Sequence, residues 1–113
     1  MRELIITTEC AEFIENSSQR TKVKFDYLVE LVIEQNIIPK NFVEKLVDTQ
    51  YHELKIKTDN QIRIILFTFD TANIHTCKEV IFLNGFMKRE NKDYKKAIKI
   101  ADKILNRFLD EKE

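Results

Sequence analysis

The sequence predicts an α+β fold: a small, mostly antiparallel sheet of about four strands, packed by an N-terminal helical hairpin and a C-terminal helix. The first observation is that the stretch from Tyr51 to Met87 holds three apolar, strand-like segments separated by polar residues. The second is that the segments before and after it repeat apolar residues every three to four positions, the spacing of an amphipathic helix. Hairpin-linked strands flanked by such helices favour a sheet that the helices cover.

The N-terminal part is predicted to form one short strand and two helices. The strand covers Leu4 to Thr7, and Thr8 can cap a first helix whose first turn is acidic, as the helix dipole prefers. This helix is expected to end near Asn16, and Ser17 and Ser18 separate it from the second helix. The apolar stripe predicted for the second helix consists of Val23, Tyr27, Leu28, Leu31 and Val32. The two helices are expected to form a hairpin.

The middle of the chain is predicted to supply the remaining strands. After a turn at Pro39, the apolar residues between positions 42 and 47 are spaced as in one or two helical turns. In Tyr51 to Lys57 apolar and charged residues alternate, so one face of this strand is expected to be buried and the other to carry lysines. The segment Gln61 to Phe69 is nearly continuous in apolar residues, as in a central strand. Glu79 to Met87 forms the last strand, after a polar loop.

The C-terminal part combines a single glycine with a helical period. Gly85 lies near the end of the last predicted strand, where a glycine indicates a β-bulge or a close approach of two chain segments. The final helix is predicted to begin at Asp93. Its apolar stripe consists of Tyr94, Ala97, Ile98, Ala101, Ile104, Leu105 and Phe108.

Length and composition indicate one folded domain over residues 1–113, with 43% hydrophobic and 34% charged residues. The apolar runs are far shorter than the roughly 18 residues of a membrane span, and the N-terminus lacks the pattern of a signal peptide. We therefore expect a cytoplasmic protein with no membrane association. Cys10 and Cys77 are expected to be reduced thiols, and their spacing to His52 and His75 does not suggest a metal site. No metal and no small-molecule cofactor is predicted.

Isolated cations within the predicted strands are the most informative feature for function. Lys55, Lys57, Arg63, Lys88 and Arg89 all lie in or at the ends of strands. A charge inside a sheet is costly unless an anion meets it, and the guanidinium fork of arginine matches phosphate oxygens. The cations therefore suggest a phosphate site, provided that they open onto the same face of the sheet. An acidic N-terminus and a Lys-rich C-terminal helix agree with an anionic partner, although such a helix is often only a solvated face.

Several short motifs in order resemble a known family. ELKIK, an arginine opening the apolar strand of IRIILF, LNGFMKR and the Lys-rich C-terminal helix resemble the RelE/HigB-like superfamily of toxins, in particular its phage-associated HigB-like branch. The resemblance covers roughly Phe42 to Ile104. It implies a RelE-like sheet packed by helices and the toxin of a type II toxin-antitoxin system. It also implies a ribosome-dependent endoribonuclease, or mRNA interferase, that cuts mRNA during translation.

The resemblance implies roles for the cations in the attack of an RNA 2′-hydroxyl on the adjacent phosphodiester. Arg63 corresponds to the family arginine that contacts the scissile phosphate. Lys55 and Lys57 lie on the strand where RelE-type members keep basic residues, and either is a candidate general base. Arg89, from the basic pair that closes the last strand, is a candidate second clamp or proton donor. The reaction is expected to need no metal.

The resemblance also implies RNA-binding residues and partners. Lys88 belongs to the same basic pair, Lys92 follows it, and Tyr94 lies near the position of a late tyrosine that can stack on a base. The chain departs from HigB-like members, which commonly have a Thr-Pro pair where it has Asp93 and Tyr94. The implied partners are the ribosome, mRNA and a cognate antitoxin with a helix-turn-helix.

Other interpretations of the same residues remain open. His52 falls on the Leu54 side of its strand by alternation, so a packing role is favoured over a catalytic one, and His75 lies in a polar loop. The chain could be a catalytically inactive, phage-derived module that binds RNA or protein. It could also be a plain nucleic-acid-binding protein, whose affinity would fall steeply with salt.

Overall fold

The computed structural model describes residues 1–112, which form three helices and five strands. The helices are α1 (Thr8–Glu15), α2 (Gln19–Glu34) and α3 (Lys92–Lys112). The strands are β1 (Glu3–Ile6), β2 (Val43–Lys45), β3 (His52–Lys57), β4 (Gln61–Thr68) and β5 (Glu79–Met87). The α+β class, the helical hairpin and the C-terminal helix are confirmed.

The strands form one mixed sheet in the order β1-β5-β4-β3-β2. The pairs β2–β3, β3–β4 and β4–β5 are antiparallel, in agreement with a mostly antiparallel sheet, and β1 adds to the edge of β5 in parallel. The sheet therefore has one strand more than expected. Strand β1 thus pairs in parallel with β5, the last strand of the chain, although more than seventy residues separate the two in sequence.

The additional strand is β2, in a segment where helical turns were predicted. Val43 to Lys45 pair with β3, with Val43 opposite Leu54, and the main-chain nitrogen of Lys55 donates to the carbonyl of Phe42 at 2.7 Å. The apolar pairs at positions 42–43 and 46–47 imitate a helical period. The segment is a strand nevertheless, because its main chain forms hydrogen bonds with the edge of β3. Such pairing outweighs the helical spacing of the apolar residues.

Helices cover both faces of the sheet, and each face has its own hydrophobic cluster. The face that carries Leu54, Ile64 and Phe82 packs against α1 and α2. The opposite face, which carries Ile65 and Ile81, packs against α3. Period-two alternation assigns successive residues of β3 and β4 to the two faces, so their charged residues share the α3 face.

Helix α2 is rotated from the orientation that its sequence suggested. Val23 and Tyr27, predicted in the buried stripe, are 60% and 57% exposed. Phe25 is buried in their place, along with Thr21, Leu28 and Val32. The ring of Phe25 packs edge-on against Phe82, with ring centroids 6.0 Å apart. This aromatic contact fixes which of the two apolar stripes faces the sheet.

The helix ends lie within a residue of the predicted positions. Thr7, rather than Thr8, caps α1, and its hydroxyl oxygen accepts from the main-chain nitrogen of Cys10 at 3.0 Å. Ser18 caps α2 in the same manner. Helix α3 starts at Lys92, one residue before the predicted start. Among the residues described, no helix is long and apolar enough to cross a membrane.

Gly85 shows both features that its position predicted. The β4–β5 register shifts between Ile65 and Leu66, which is a β-bulge next to Gly85. A Cβ atom built on Gly85 would lie 2.4 Å from Cδ2 of Phe13 and 2.8 Å from Cδ1 of Ile64. Helix α1 can therefore press Phe13 onto β5 only because residue 85 has no side chain.

Candidate functional site

The α3 face of the sheet brings together four of the residues predicted for the site. Lys55 on β3 lies directly opposite Arg63 on β4. Arg63 lies opposite Phe86 of β5, and the ring of Tyr94 from α3 packs edge-on against Phe86 at 5.2 Å between centroids. The Nζ atom of Lys88 lies 5.5 Å from the centre of the Tyr94 ring. Three strands and the start of α3 thus meet at one place.

Arg63 is only 5% exposed, and three neighbours hold its guanidinium. Nε lies 2.9 Å from Oε1 of Glu53. Nη1 donates to the carbonyl of Ile62 at 3.0 Å, and Nη2 donates to the side-chain oxygen of Gln61 at 3.1 Å. The Nε contact is an ion pair rather than an aligned hydrogen bond, because the Nε–H does not point at an acceptor. The charge that the sequence left without a partner therefore has a structural one.

Glu53 connects Arg63 to Tyr94. The same Oε1 atom that lies against Arg63 accepts a hydrogen bond from the Tyr94 hydroxyl at 2.7 Å. Burial, and then the bond to Glu53, raise the pKa of Tyr94 to about 12. The phenol therefore keeps its proton at neutral pH and donates a hydrogen bond to the carboxylate.

Lys55 also has a carboxylate partner. Its Nζ atom lies 2.6 Å from Oε1 of Glu44 on β2, and this bond lowers the pKa of the Glu44 carboxyl. Like charges directly opposite each other destabilise a sheet, and Lys55 and Arg63 are such a pair. Glu44 and Glu53 compensate them, so these four side chains form an alternating network with no net charge.

Lys57 is the exposed cation of this face. It lies at the end of β3, two residues beyond Lys55. Among residues 1–112 it has no ion pair and no side-chain hydrogen bond in the structure. Of the two lysines predicted on this strand, Lys57 is therefore the one free to meet a ligand without displacing a carboxylate.

The structure does not bring Arg89 and Lys92 to the same place. The Nη2 atom of Arg89 lies 3.4 Å from Sδ of Met87, a residue that packs on the α1 and α2 side of the sheet. Lys92 pairs with Glu90 at 3.1 Å in solvent. The main-chain nitrogens of Arg89 and Glu90 donate to the Asp93 carboxylate, which fastens the connection between β5 and α3.

Sequence reasoning missed Glu53 and Glu44 as members of the site. Glu53 alternates with apolar residues, and Glu44 lies in a segment that was predicted to form helical turns, so both were indistinguishable from solvent-facing carboxylates. Glu53 is 7% exposed, because the start of α3 lies over it. Its contact with Arg63 is diagonal across two strands, with Glu53 opposite Ile65. Only the register of the β3–β4 hairpin would have revealed that pairing.

An open groove lies beside this network. It has a volume of about 390 Å³, and Glu44, Lys45, Val47, Glu53, Tyr94 and Ile98 are among its lining residues. The groove gives solvent access to the Glu53–Tyr94 end of the site. A second, larger groove of about 660 Å³ lies along α2, and Val23, Lys24, Tyr27 and Lys57 are among its lining residues. Lys57 lies at the end of β3, beyond the residues that pair with β2, so it also borders the α2 side of the sheet.

The histidines lie outside this site. His52 is buried on the Leu54 side of β3, as the alternation predicted, and burial lowers its pKa to about 4. His75 accepts a hydrogen bond from the main chain of Ile38 in the loop region. Within the described part of the chain, no group of three or more His, Cys, Asp or Glu side chains is arranged to hold a metal ion.

One comparison with known proteins identifies the family. The family model described as "Phage derived protein Gp49-like (DUF891)" matches residues 12–106, which include every element from α2 to β5, half of α1 and most of α3. No curated protein matches the chain. The family is RelE- and toxin-like, so the resemblance is confirmed at that level, whereas the HigB-like branch stays a prediction. The chain therefore belongs to the Gp49-like family of phage-derived proteins.

Proposed function

We propose that this protein is the toxin of a type II toxin-antitoxin system and acts as a HigB-like, ribosome-dependent endoribonuclease on translated mRNA. The observation that carries the proposal is the meeting of Lys55, Arg63, Lys88 and Tyr94 on one sheet face in a member of the Gp49-like family. Cations and a half-buried aromatic ring on a rigid sheet suit an RNA backbone and an adjacent base. The proposed setting is the cytoplasm, and the proposed inhibitor is a cognate antitoxin with a helix-turn-helix.

The proposed reaction uses side chains alone. A lysine takes the proton of the RNA 2′-hydroxyl, and the 2′-oxygen attacks the neighbouring phosphorus. The bond to the 5′-oxygen breaks, and this oxygen leaves with a proton, which yields a 2′,3′-cyclic phosphate and a 5′-hydroxyl. The lysine must be a neutral amine to accept this proton, a form that neighbouring cations favour, and Lys57 is preferred over Lys55 because Lys55 is paired with Glu44. Arg63 stabilises the negative charge that develops on the phosphate. Arg89, which lies beside Met87 in the structure, moves towards the RNA and acts either as a second phosphate contact or as the proton donor to the 5′-oxygen.

One observation favours a second candidate, a catalytically inactive module that binds RNA or protein. The inner network of Glu44, Glu53, Lys55 and Arg63 is neutral, and Arg63 is almost fully covered. A guanidinium covered to this degree has little surface left for a phosphate. For the nuclease, the ribosome must hold the message so that it reaches the site, and free RNA should be cut poorly.

The deciding experiment incubates purified protein with programmed ribosomes and maps the 5′ ends of the message. We expect cuts by the wild type and a rate about 10² to 10³ lower for Arg63→Ala, the typical cost of losing a donor to transition-state charge. Lys99→Ala, an exposed lysine of α3 away from the site, is the matched control and should cut like the wild type. Intact message with the wild type would refute the nuclease and leave the binding module.

Folding is controlled separately, because Arg63→Ala leaves the buried Glu53 without its cation and such losses cost about 3–5 kcal/mol. The double variant Glu53→Gln, Arg63→Gln removes both charges, keeps the shape of residue 53 and leaves a shorter, neutral side chain at residue 63. If this variant melts near the wild-type temperature and does not cut, the loss is chemical. Equal growth of bacteria that express wild type and Arg63→Ala would also contradict the proposal.

A further inference from the structure

Glu53 is the one carboxylate in the site that contacts two of the residues proposed to meet RNA. Its Oε1 atom lies 2.9 Å from Nε of Arg63 and 2.7 Å from the hydroxyl of Tyr94. These residues belong to β4 and α3, and Glu53 itself belongs to β3. One oxygen atom thus fixes the relative position of three elements.

We propose that Glu53 is the positioning residue of the site, which sets where the Arg63 guanidinium and the Tyr94 ring stand for the RNA. The proposal rests on the proposed function and adds a residue to it. Glu53 is not assigned an RNA contact, because a carboxylate repels phosphate and its Oε1 atom is already engaged by Arg63 and Tyr94. It acts through its two partners.

The contacts of Arg63 explain why Glu53 decides its orientation. Nη1 and Nη2 are held by a carbonyl and an amide oxygen, which are neutral acceptors. Glu53 supplies the only negative charge within ion-pair distance among the residues described. A guanidinium has five N–H groups, so these three contacts leave two N–H groups, one on each Nη, for a phosphate. Their direction follows from where Nε is held.

The contact of Tyr94 has a parallel consequence. The hydroxyl donates to Glu53, which fixes the ring at one end, while Phe86 packs against it and Lys88 lies near its centre. Because the Tyr94 ring is held at its hydroxyl, an RNA base can stack on the free part of the ring in only one orientation. Because the same carboxylate holds the arginine, the distance between base and phosphate contacts is fixed as well.

Two substitutions separate position from charge. Glu53→Gln keeps the size and an acceptor oxygen but loses the charge, and Glu53→Asp keeps the charge but shortens the side chain by one methylene. We expect both to lower the single-turnover cutting rate at saturating ribosomes by about 10- to 100-fold, since a displacement of about 1 Å has such a cost. The protein concentration that gives half the maximal rate should change less than twofold. Glu30→Gln, exposed on α2, is the control.

A purely structural role would give a different pattern. If Glu53 only neutralises Arg63, Glu53→Asp should cut at the wild-type rate once both proteins are folded at the assay temperature. If Glu53 instead masks Arg63, Glu53→Gln should cut faster than the wild type. Either result overturns the proposal.

A spectroscopic measurement tests the positioning contact without any cutting. Absorbance near 295 nm follows tyrosine ionisation, and Tyr94→Phe identifies the part that belongs to Tyr94. In Glu53→Gln the Tyr94 pKa should fall below its wild-type value, because the negative neighbour that raises it is gone. An unchanged titration refutes the contact. If the wild type cuts no message but this shift appears, the proposed function fails and the positioning of Tyr94 by Glu53 stands.

Discussion

At the scale of single residues, buried charges in this protein are stabilised by oxygen atoms far away in sequence, and Arg2 makes the largest number of such contacts. Its side chain is 7% exposed and donates to five main-chain carbonyls. Those carbonyls belong to Val32, Gln35, Asn36, Ile74 and His75. Arg2 thereby joins β1 to the carboxyl end of α2, whose last carbonyls lack helical partners, and to the loop before β5.

We therefore expect Arg2→Met to lower the free energy of unfolding by roughly 2–4 kcal/mol, because several buried carbonyls lose their donors. Urea denaturation at neutral pH measures this difference. Arg107→Met is the matched control, since Arg107 is 55% exposed and has a single, half-buried ion-pair partner, Glu9, and its cost should stay within about 1 kcal/mol. Equal costs for the two variants would contradict the role given to Arg2.

His52 should make stability depend on pH. It is 4% exposed, and burial lowers its pKa from 6.5 to about 4. The folded protein therefore favours the neutral ring, so its contribution is fully present above about pH 6.5 and is lost as the pH falls towards 4. The loss is on the order of 3 kcal/mol. The free energy of unfolding is measured for wild type and His52→Gln at pH 7 and pH 4.5. The difference between the two proteins should shrink by this amount at the lower pH, and a difference that stays constant would show that His52 does not titrate.

At the scale of elements, the packing of α1 on β5 depends on Gly85. The positions of Phe13 and Ile64 leave no room for a Cβ atom there. We expect Gly85→Ala to cost about 1–3 kcal/mol, the usual range for overpacking, as measured by chemical denaturation. The double variant Phe13→Leu, Gly85→Ala should recover part of the loss, because the smaller side chain makes room. A double variant no more stable than Gly85→Ala would place the strain elsewhere.

Elements with a strong local pattern were predictable from the sequence, and those defined by a distant partner were not. Alternation and apolar runs located β3, β4 and β5 to within a residue or two. Strand β2 has three residues and exists because β3 offers it an edge. The second helix has two apolar stripes, and contact with Phe82 selects between them.

The candidate site divides in the same way. Period two correctly placed Lys55 and Lys57 on one face, and the short β3–β4 turn put Arg63 opposite Lys55. The carboxylates that pair with Lys55 and Arg63 could not be assigned, because each pairing crosses to a neighbouring strand on a diagonal. Spacing within one segment contains no information about that register.

At the scale of the whole molecule, the two hydrophobic clusters lie on opposite faces of one sheet and share β4 and β5. A change under α3 should therefore destabilise the packing under α1 and α2. Cys10 and Cys77 report on the latter, because both thiols are buried there. Burial raises the pKa of Cys10 to about 12 and raises that of Cys77 as well, so neither should react with a thiol reagent until the protein opens.

Leu105→Ala tests this coupling from the α3 side. Leu105 is buried in the α3 cluster, and its truncation should cost roughly 2–4 kcal/mol. If the two clusters unfold together, the unfolded fraction of the protein grows by about 10²-fold. The labelling rate of Cys10 grows by the same factor under conditions in which refolding is faster than the reaction with the thiol reagent. Cys77→Ser in both backgrounds leaves Cys10 as the only reporter, and Lys99→Ala controls for a change on the surface of α3. Unchanged labelling of Cys10 in Leu105→Ala would mean that α3 can leave the sheet while the other layer stays folded, and that the site loses Tyr94 before it loses Arg63.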